Sequence, residues 1–176
     1  GGGLSGGNHL FHLTAGDWNI SYVEEPYDFN STISAMGYSS IDPSYRYVVT
    51  YYGSFYFSND NGNNWQMSSA FDGPDAHYFY GSAIWASQNS LGKVIIGGSG
   101  YSNPPVYISY DHGSTFAPLN EGLPNTLVYE LTGTPDDRYY FAATEVGPYV
   151  YIAEDGVWTD LGGIFAPDQT YWSVEY

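Results

Sequence analysis

Carboxylates are the side chains with which this chain could do chemistry. Its 176 residues carry 19 Asp and Glu against three basic residues, Arg46, Lys93 and Arg138, for a net charge of −16. Paired carboxylates supply the acid and the base or nucleophile of glycoside hydrolysis, and clustered ones bind calcium. Asp60-Asn61-Gly62 has the superficial look of an EF-hand loop. With Gly62 at the sixth position the first ligand would be Phe57, so the register fails. No complete calcium motif is present and no metal site or cofactor is expected; calcium is the one ion the composition leaves open. His9 and His12 are three apart, which sets them on opposite faces of a strand, so they read as strand residues rather than metal ligands. Gly97-Gly98-Ser99-Gly100 precedes no helical pattern and reads as a turn, not a phosphate cradle. There is no cysteine, which excludes disulfides, thiolate metal sites and cysteine nucleophiles. Three basic residues argue against any nucleic-acid partner. No segment nears the roughly 18 continuous apolar residues of a membrane span, and Gly1-Gly2-Gly3-Leu4 has neither the basic start nor the apolar core of a signal peptide.

The elements that must position these side chains are strands. Aromatics make up 19% of the chain, with 20 Tyr, 22 Gly and 10 Pro, and no window shows a helical period; this is an all-β composition. Two octets share one pattern, Ser-x-Asp-x-Gly-x-x-aromatic: Ser58 to Trp65, with Asp60 and Gly62, and Ser109 to Phe116, with Asp111 and Gly113. Each follows an apolar run, Phe55-Tyr56-Phe57 or Val106-Tyr107-Ile108. Asp accepts from nearby backbone N–H groups and Gly takes the left-handed conformation, so each octet predicts a tight turn between two strands. Degenerate copies stand at Ala153 to Trp158, with Asp155, and at Thr14 to Trp18. The closing aromatics Trp18, Trp65, Phe116 and Trp158 recur roughly every 40–50 residues, the period of a four-stranded blade.

These octets resemble Asp-box (BNR) repeats, the hairpin signature of β-propellers such as sialidases, sortilin-type receptors, GH74-type glucanases and secreted bacterial repeat proteins. The resemblance implies an all-β propeller, or a propeller segment, of four-stranded antiparallel blades, with the boxes as folding devices at the blade rim. The strand-forming runs then divide into a half blade over 1–24, blades over about 33–71, 79–119 and 127–161, and a lone inner strand over 171–176, in one domain or segment. Exposed strand edges associate, so the partial ends either join within one chain, join between copies as a ring or a filament, or belong to a longer propeller of which this chain is an excerpt. By resemblance the protein is bacterial, and secreted or on the cell surface.

Propeller topology puts the Asp-box turns on the rim opposite the usual binding face. That face then gathers Tyr27, Asp28, His77, Tyr101 and Asn103 as ligand-contact candidates. Asp75, Glu145 and Asp168 are the carboxylates a hydrolase would use there. Two functions compete. One is a non-catalytic interaction or structural module, meeting itself or a glycan or protein ligand through tyrosines. The other is a glycan-binding or GH74-like propeller. Sialidase activity is disfavoured, because that family needs an arginine cluster and only Arg46 and Arg138 exist here.

Overall fold

A computed structural model describes residues 7–16, 19–69, 71, 73–75, 82–163 and 166–176. Among them there are fourteen strands and no helix. Strands β1 (Phe11–Gly16) and β2 (Asn19–Glu24) pair as a two-stranded antiparallel sheet. Blade one is β3 (Ile33–Tyr38), β4 (Arg46–Thr50), β5 (Phe55–Ser58) and β6 (Gln66–Met67). Blade two is β7 (Ala83–Ala86), β8 (Val94–Gly97), β9 (Val106–Ser109) and β10 (Ala117–Pro118). Blade three is β11 (Val128–Gly133), β12 (Tyr139–Thr144), β13 (Gly147–Ile152) and β14 (Val157–Asp160). In each blade the four strands lie in chain order, all antiparallel. The first strand of one blade lies against the first strand of the next, β3 against β7 and β7 against β11. Sheets stacked face to face with their inner strands together are the blades of a β-propeller, of which this chain forms an arc.

The alternation within the strands explains the stacking. In β4, Tyr47 and Val49 point one way and Val48 the other, as the period of two requires. All three are buried because both faces of a blade are covered. Tyr47, Val49 and Phe55 of blade one pack with Val94, Ile96 and Tyr107 of blade two. Trp85, Ile95 and Ile108 of blade two pack with Leu131, Tyr140 and Ala142 of blade three. A smaller cluster sets Phe29 against Ile33, Val48, Tyr56 and Trp65, joined by Leu10 and Tyr27. Fully burying one such side chain is worth about 1.5–3 kcal/mol, so the interfaces between blades are the core.

Several boundaries differ from the sequence pattern. The run from Arg46 to Tyr52 ends as a strand at Thr50, because Tyr51, Tyr52 and Gly53 (φ 81°) form the return. The strand expected from Phe79 is described only from Ala83, and residues 76–81, His77 among them, lie outside the described residues, as does Trp18. Residues 171–176, expected as an inner strand, belong to no ladder. They lie along the far face of blade three. The Tyr171 N–H donates to the Thr144 carbonyl at 2.9 Å, the Trp172 ring lies 4.6 Å from that of Tyr129, and the Tyr176 ring lies 6.3 Å from that of Phe141.

Candidate functional site

The returns between second and third strands, and the connectors between blades, form one continuous rim. Its backbone is stitched across blades. Ser99 N–H donates to Asp75 O at 2.7 Å, Gly100 N–H to Thr126 O at 2.8 Å, Val128 N–H to Gly98 O at 2.9 Å and Glu145 N–H to Leu127 O at 3.1 Å. The connector between blades two and three is thereby held between the returns of both blades, and the connector at Asp75 is held to the return of blade two. The rim is a fixed platform built from irregular backbone whose polar groups are paired.

Side chains of different blades meet on this platform. Tyr101, 60% exposed, donates its hydroxyl to the Glu145 carboxylate at 2.5 Å, linking the returns of blades two and three. That hydrogen bond, aided by burial and by the charge of Glu145, holds the Tyr101 phenol above its usual range. Tyr52 is 72% exposed in the return of blade one, with the Tyr51 ring edge-on to it at 5.1 Å. Asn103 is half-buried and donates its side-chain amide to Gly73 O at 3.0 Å, tying its loop to the preceding connector. Asp75 supplies its carbonyl to the stitching.

The other candidates have partners of their own. Tyr27 packs 4.9 Å from Phe29 and 6.0 Å from Tyr56, within the aromatic cluster. Asp28 is exposed and accepts from Asn8 at 2.6 Å and from the Asn30 N–H at 2.7 Å, which fixes a turn. Asp168 sits beside Asp160: a Cβ added to Gly162 would lie 2.5 Å from an Asp168 carboxylate oxygen and 2.8 Å from an Asp160 one. Among the described residues no three His, Asp or Glu side chains gather as cation ligands. Sequence reasoning missed Tyr52 and Asp160. Tyr52 was hidden in a β-forming run, and only the Gly53-Ser54 pair that follows it signals the return.

The opposite rim carries the Ser-x-Asp turns, and they match bond for bond. Ser58 Oγ accepts from the N–H groups of Asp60 (3.2 Å) and Gly62 (2.9 Å), and Asp60 accepts from Asn64 N–H at 2.9 Å. Ser109 Oγ accepts from Asp111 (3.2 Å) and Gly113 (2.8 Å), and Asp111 accepts from Thr115 N–H at 2.9 Å. These bonds hold both carboxyls below the usual range: in Asp60 those from Asn64 lead, and in Asp111 those from Thr115 and Ser109 outweigh burial. At Asp155 the turn is closed by backbone instead, with Gly156 N–H on Ile152 O at 2.9 Å. Buried Trp158 caps it, donating Nε1–H to Leu119 O at 2.7 Å.

This rim also carries a titratable group at a blade interface. His112 (φ 63°) of blade two stacks 3.8 Å from Tyr45 of blade one, and its buried Nδ1 has no partner among the described residues. Burial pushes its pKa down, opposed by Asp111 and Asp42. A histidine whose folded pKa lies below its unfolded value contributes stability that is complete above the unfolded pKa, about 6.5, and is lost as pH falls below it. The stability of wild type to urea is therefore expected to fall more steeply below about pH 6.5 than that of His112→Asn, which keeps a residue tolerant of positive φ. Equal pH slopes there would refute a neutral His112 with its Nδ1 buried.

No protein-family model and no curated protein sequence matches the chain. Similar solved structures exist. An ancestral GH74 enzyme matches with a TM-score of 0.68 and 14% identity, over 94% of this chain and 25% of that one. A GH74 xyloglucanase from Xanthomonas campestris matches with 0.61 and 15%, over 82% and 25%. YCF48 from Cyanidioschyzon merolae matches with 0.55 and 18%, over 86% and 40%. The chain thus spans a quarter of the length of these GH74 enzymes and two fifths of YCF48. At such identities the likeness is one of fold, and it places the chain among β-propeller structures.

Proposed function

We propose that this chain is part of a non-catalytic interaction module of the Asp-box (BNR) propeller kind, secreted or displayed on a cell surface, that also associates with copies of itself. The matching hydrogen-bond sets at Ser58-Asp60 and Ser109-Asp111 support the Asp-box assignment. One observation carries the functional reading. The Glu145 carboxylate, on the rim where a hydrolase would need a free acid or base, is bonded to the phenol of Tyr101 from the neighbouring blade. That bond pre-orients an exposed aromatic ring, and rigid tyrosines make contact area at low entropic cost.

The second reading, a glycan-active propeller, is favoured by the GH74 fold neighbours and by the exposed Tyr52 and Tyr101 rings, which suit stacking on sugars. Incubation with xyloglucan separates the two. The interaction module is expected to release no reducing ends, with Asp75→Asn, Glu145→Gln and Asp168→Asn leaving that baseline unmoved. Turnover that disappears in any of the three variants would establish the hydrolase and overturn the module. If xyloglucan is bound without turnover, Tyr52→Ala and Tyr101→Ala are each expected to weaken binding about tenfold.

A further inference from the structure

The chain divides its charge between its two rims. All three basic residues stand at the rim of the Ser-x-Asp turns. Arg46 donates to Asn61 at 3.5 Å, Lys93 is bonded to Asp137, and the Arg138 guanidinium lies 5.6 Å from the Tyr139 ring. The rim of the returns therefore has no basic residue, since the sequence holds no fourth. It carries carboxylates instead. Glu145 lies in the return of blade three, and Asp160 and Asp168 flank the same return. A Cβ on Gly147 would lie 3.8 Å from an oxygen of Asp160 and 3.9 Å from one of Asp168.

At the junction of blades two and three this acidic rim offers a ring. Tyr101 is 60% exposed, and it donates its hydroxyl to the Glu145 carboxylate at 2.5 Å. Both blades of the junction lie within the chain. Their returns and the connector between them, residues 98–105, 119–127 and 145–147, are described throughout. The bond to Glu145 does two things. It holds the phenol in place, so the ring is ready before a partner arrives. It also polarises the phenol toward phenolate, which makes the negative face of the ring more negative. Such a face attracts ammonium and guanidinium groups, and the Glu145 charge beside it adds to the attraction.

We propose that this junction receives an extended, lysine- or arginine-bearing segment of another polypeptide, with one cationic head on the Tyr101 ring and the next along the carboxylates of the blade-three return. Three observations select that occupant. A metal ion needs oxygens that converge, and among the described residues no three His, Asp or Glu side chains do. An anionic ligand would meet Glu145, Asp160 and Asp168 with no basic side chain on that rim to offset them. A second copy of this chain has no stretch in which two basic residues stand close together. The net charge of −16 draws a basic segment in from a distance, and the ring gives it a place to stop.

This inference rests on the interaction module of the proposed function and names its partner. Calorimetric titration of the whole chain with acetylated tetralysine amide, at about 150 mM salt, tests it, with xyloglucan as a parallel titrant and near-ultraviolet circular dichroism confirming the fold of each variant. Wild type is expected to bind the tetralysine, and Tyr101→Leu and Glu145→Gln each to weaken binding about fivefold. Glu154→Gln removes the same charge from an exposed position on the opposite rim and should stay within about twofold of wild type. Equal losses in Glu145→Gln and Glu154→Gln would reduce the binding to overall charge and overturn the site. No binding of tetralysine, or binding of xyloglucan in its place through Tyr101, overturns the basic partner and leaves the interaction module standing. Turnover of xyloglucan that is lost in Glu145→Gln overturns the module itself.

Discussion

Gly113→Ala is expected to lower the free energy of unfolding by about 3 kcal/mol or more, measured by urea denaturation followed through tryptophan fluorescence. Two costs coincide at this position. The φ of Gly113 is 86°, a left-handed conformation that costs an L-residue energy. A Cβ there would also fall within about 3 Å of three ring atoms of Phe55, which belongs to blade one. Phe55 is fully buried between blades, 4.8 Å from Phe116, and has no room to retreat. The carbonyl of Gly113 accepts a hydrogen bond from the Ser68 hydroxyl, so the backbone is held from the other side as well. Gly156→Ala is the matched control. It shares the positive φ, 71°, but a Cβ would meet only the Tyr151 hydroxyl at 3.9 Å. It should cost about 1 kcal/mol, the conformational part alone. Equal losses in the two variants would show that the blade interface at Gly113 is looser than described.

The second large effect is expected at Lys93. Its ammonium lies 2.8 Å from the Asp137 carboxylate, with the two side chains 14% and 5% exposed, and the bond joins blades two and three. Ser87 also donates to both Asp137 oxygens, at 2.7 and 2.8 Å. Burial pushes the Asp137 carboxyl up, but the hydrogen bonds from Lys93 and Ser87 and the charge of Lys93 outweigh it and hold the group below its usual range. A carboxyl lowered in this way stabilises the fold above its unfolded pKa, about 3.9, and that contribution is lost as pH falls through its folded value. Lys93→Met keeps the length of the side chain and leaves the carboxylate buried without its counter-ion. The expected loss is about 3–5 kcal/mol at neutral pH. Lys93→Met with Asp137→Leu removes both charges and should return to within about 1 kcal/mol of wild type. If the single and double variants are equally unstable, packing rather than charge carries the effect.

The hairpins and the blade order were legible in the sequence because they are local. Ser58 to Trp65 and Ser109 to Phe116 hold their whole hydrogen-bond sets within eight residues, so the turn chemistry can be read from the residue types. The runs feeding them are short, aromatic and evenly spaced, which made four-stranded antiparallel units legible. Contacts between blades were not legible. Lys93 and Asp137, Tyr45 and His112, and Tyr101 and Glu145 are joined by the rotation of one blade on the next, and no local pattern encodes that rotation. Tyr101 and Glu145 were each placed on the rim by topology, but their bond needed the structure. Tyr27 looked like a loop aromatic and proved to be part of a core cluster, because Phe29 and Trp65 come to it from elsewhere in the chain. Residues 171–176 have the composition of an inner strand and lie where one would lie, without a ladder partner.

The most direct measurement is the mass of the chain in solution by multi-angle light scattering across a concentration series. The account of a self-associating interaction module predicts species heavier than the 19.4 kDa chain whose share grows with concentration. A single species at the monomer mass over the whole series would contradict it.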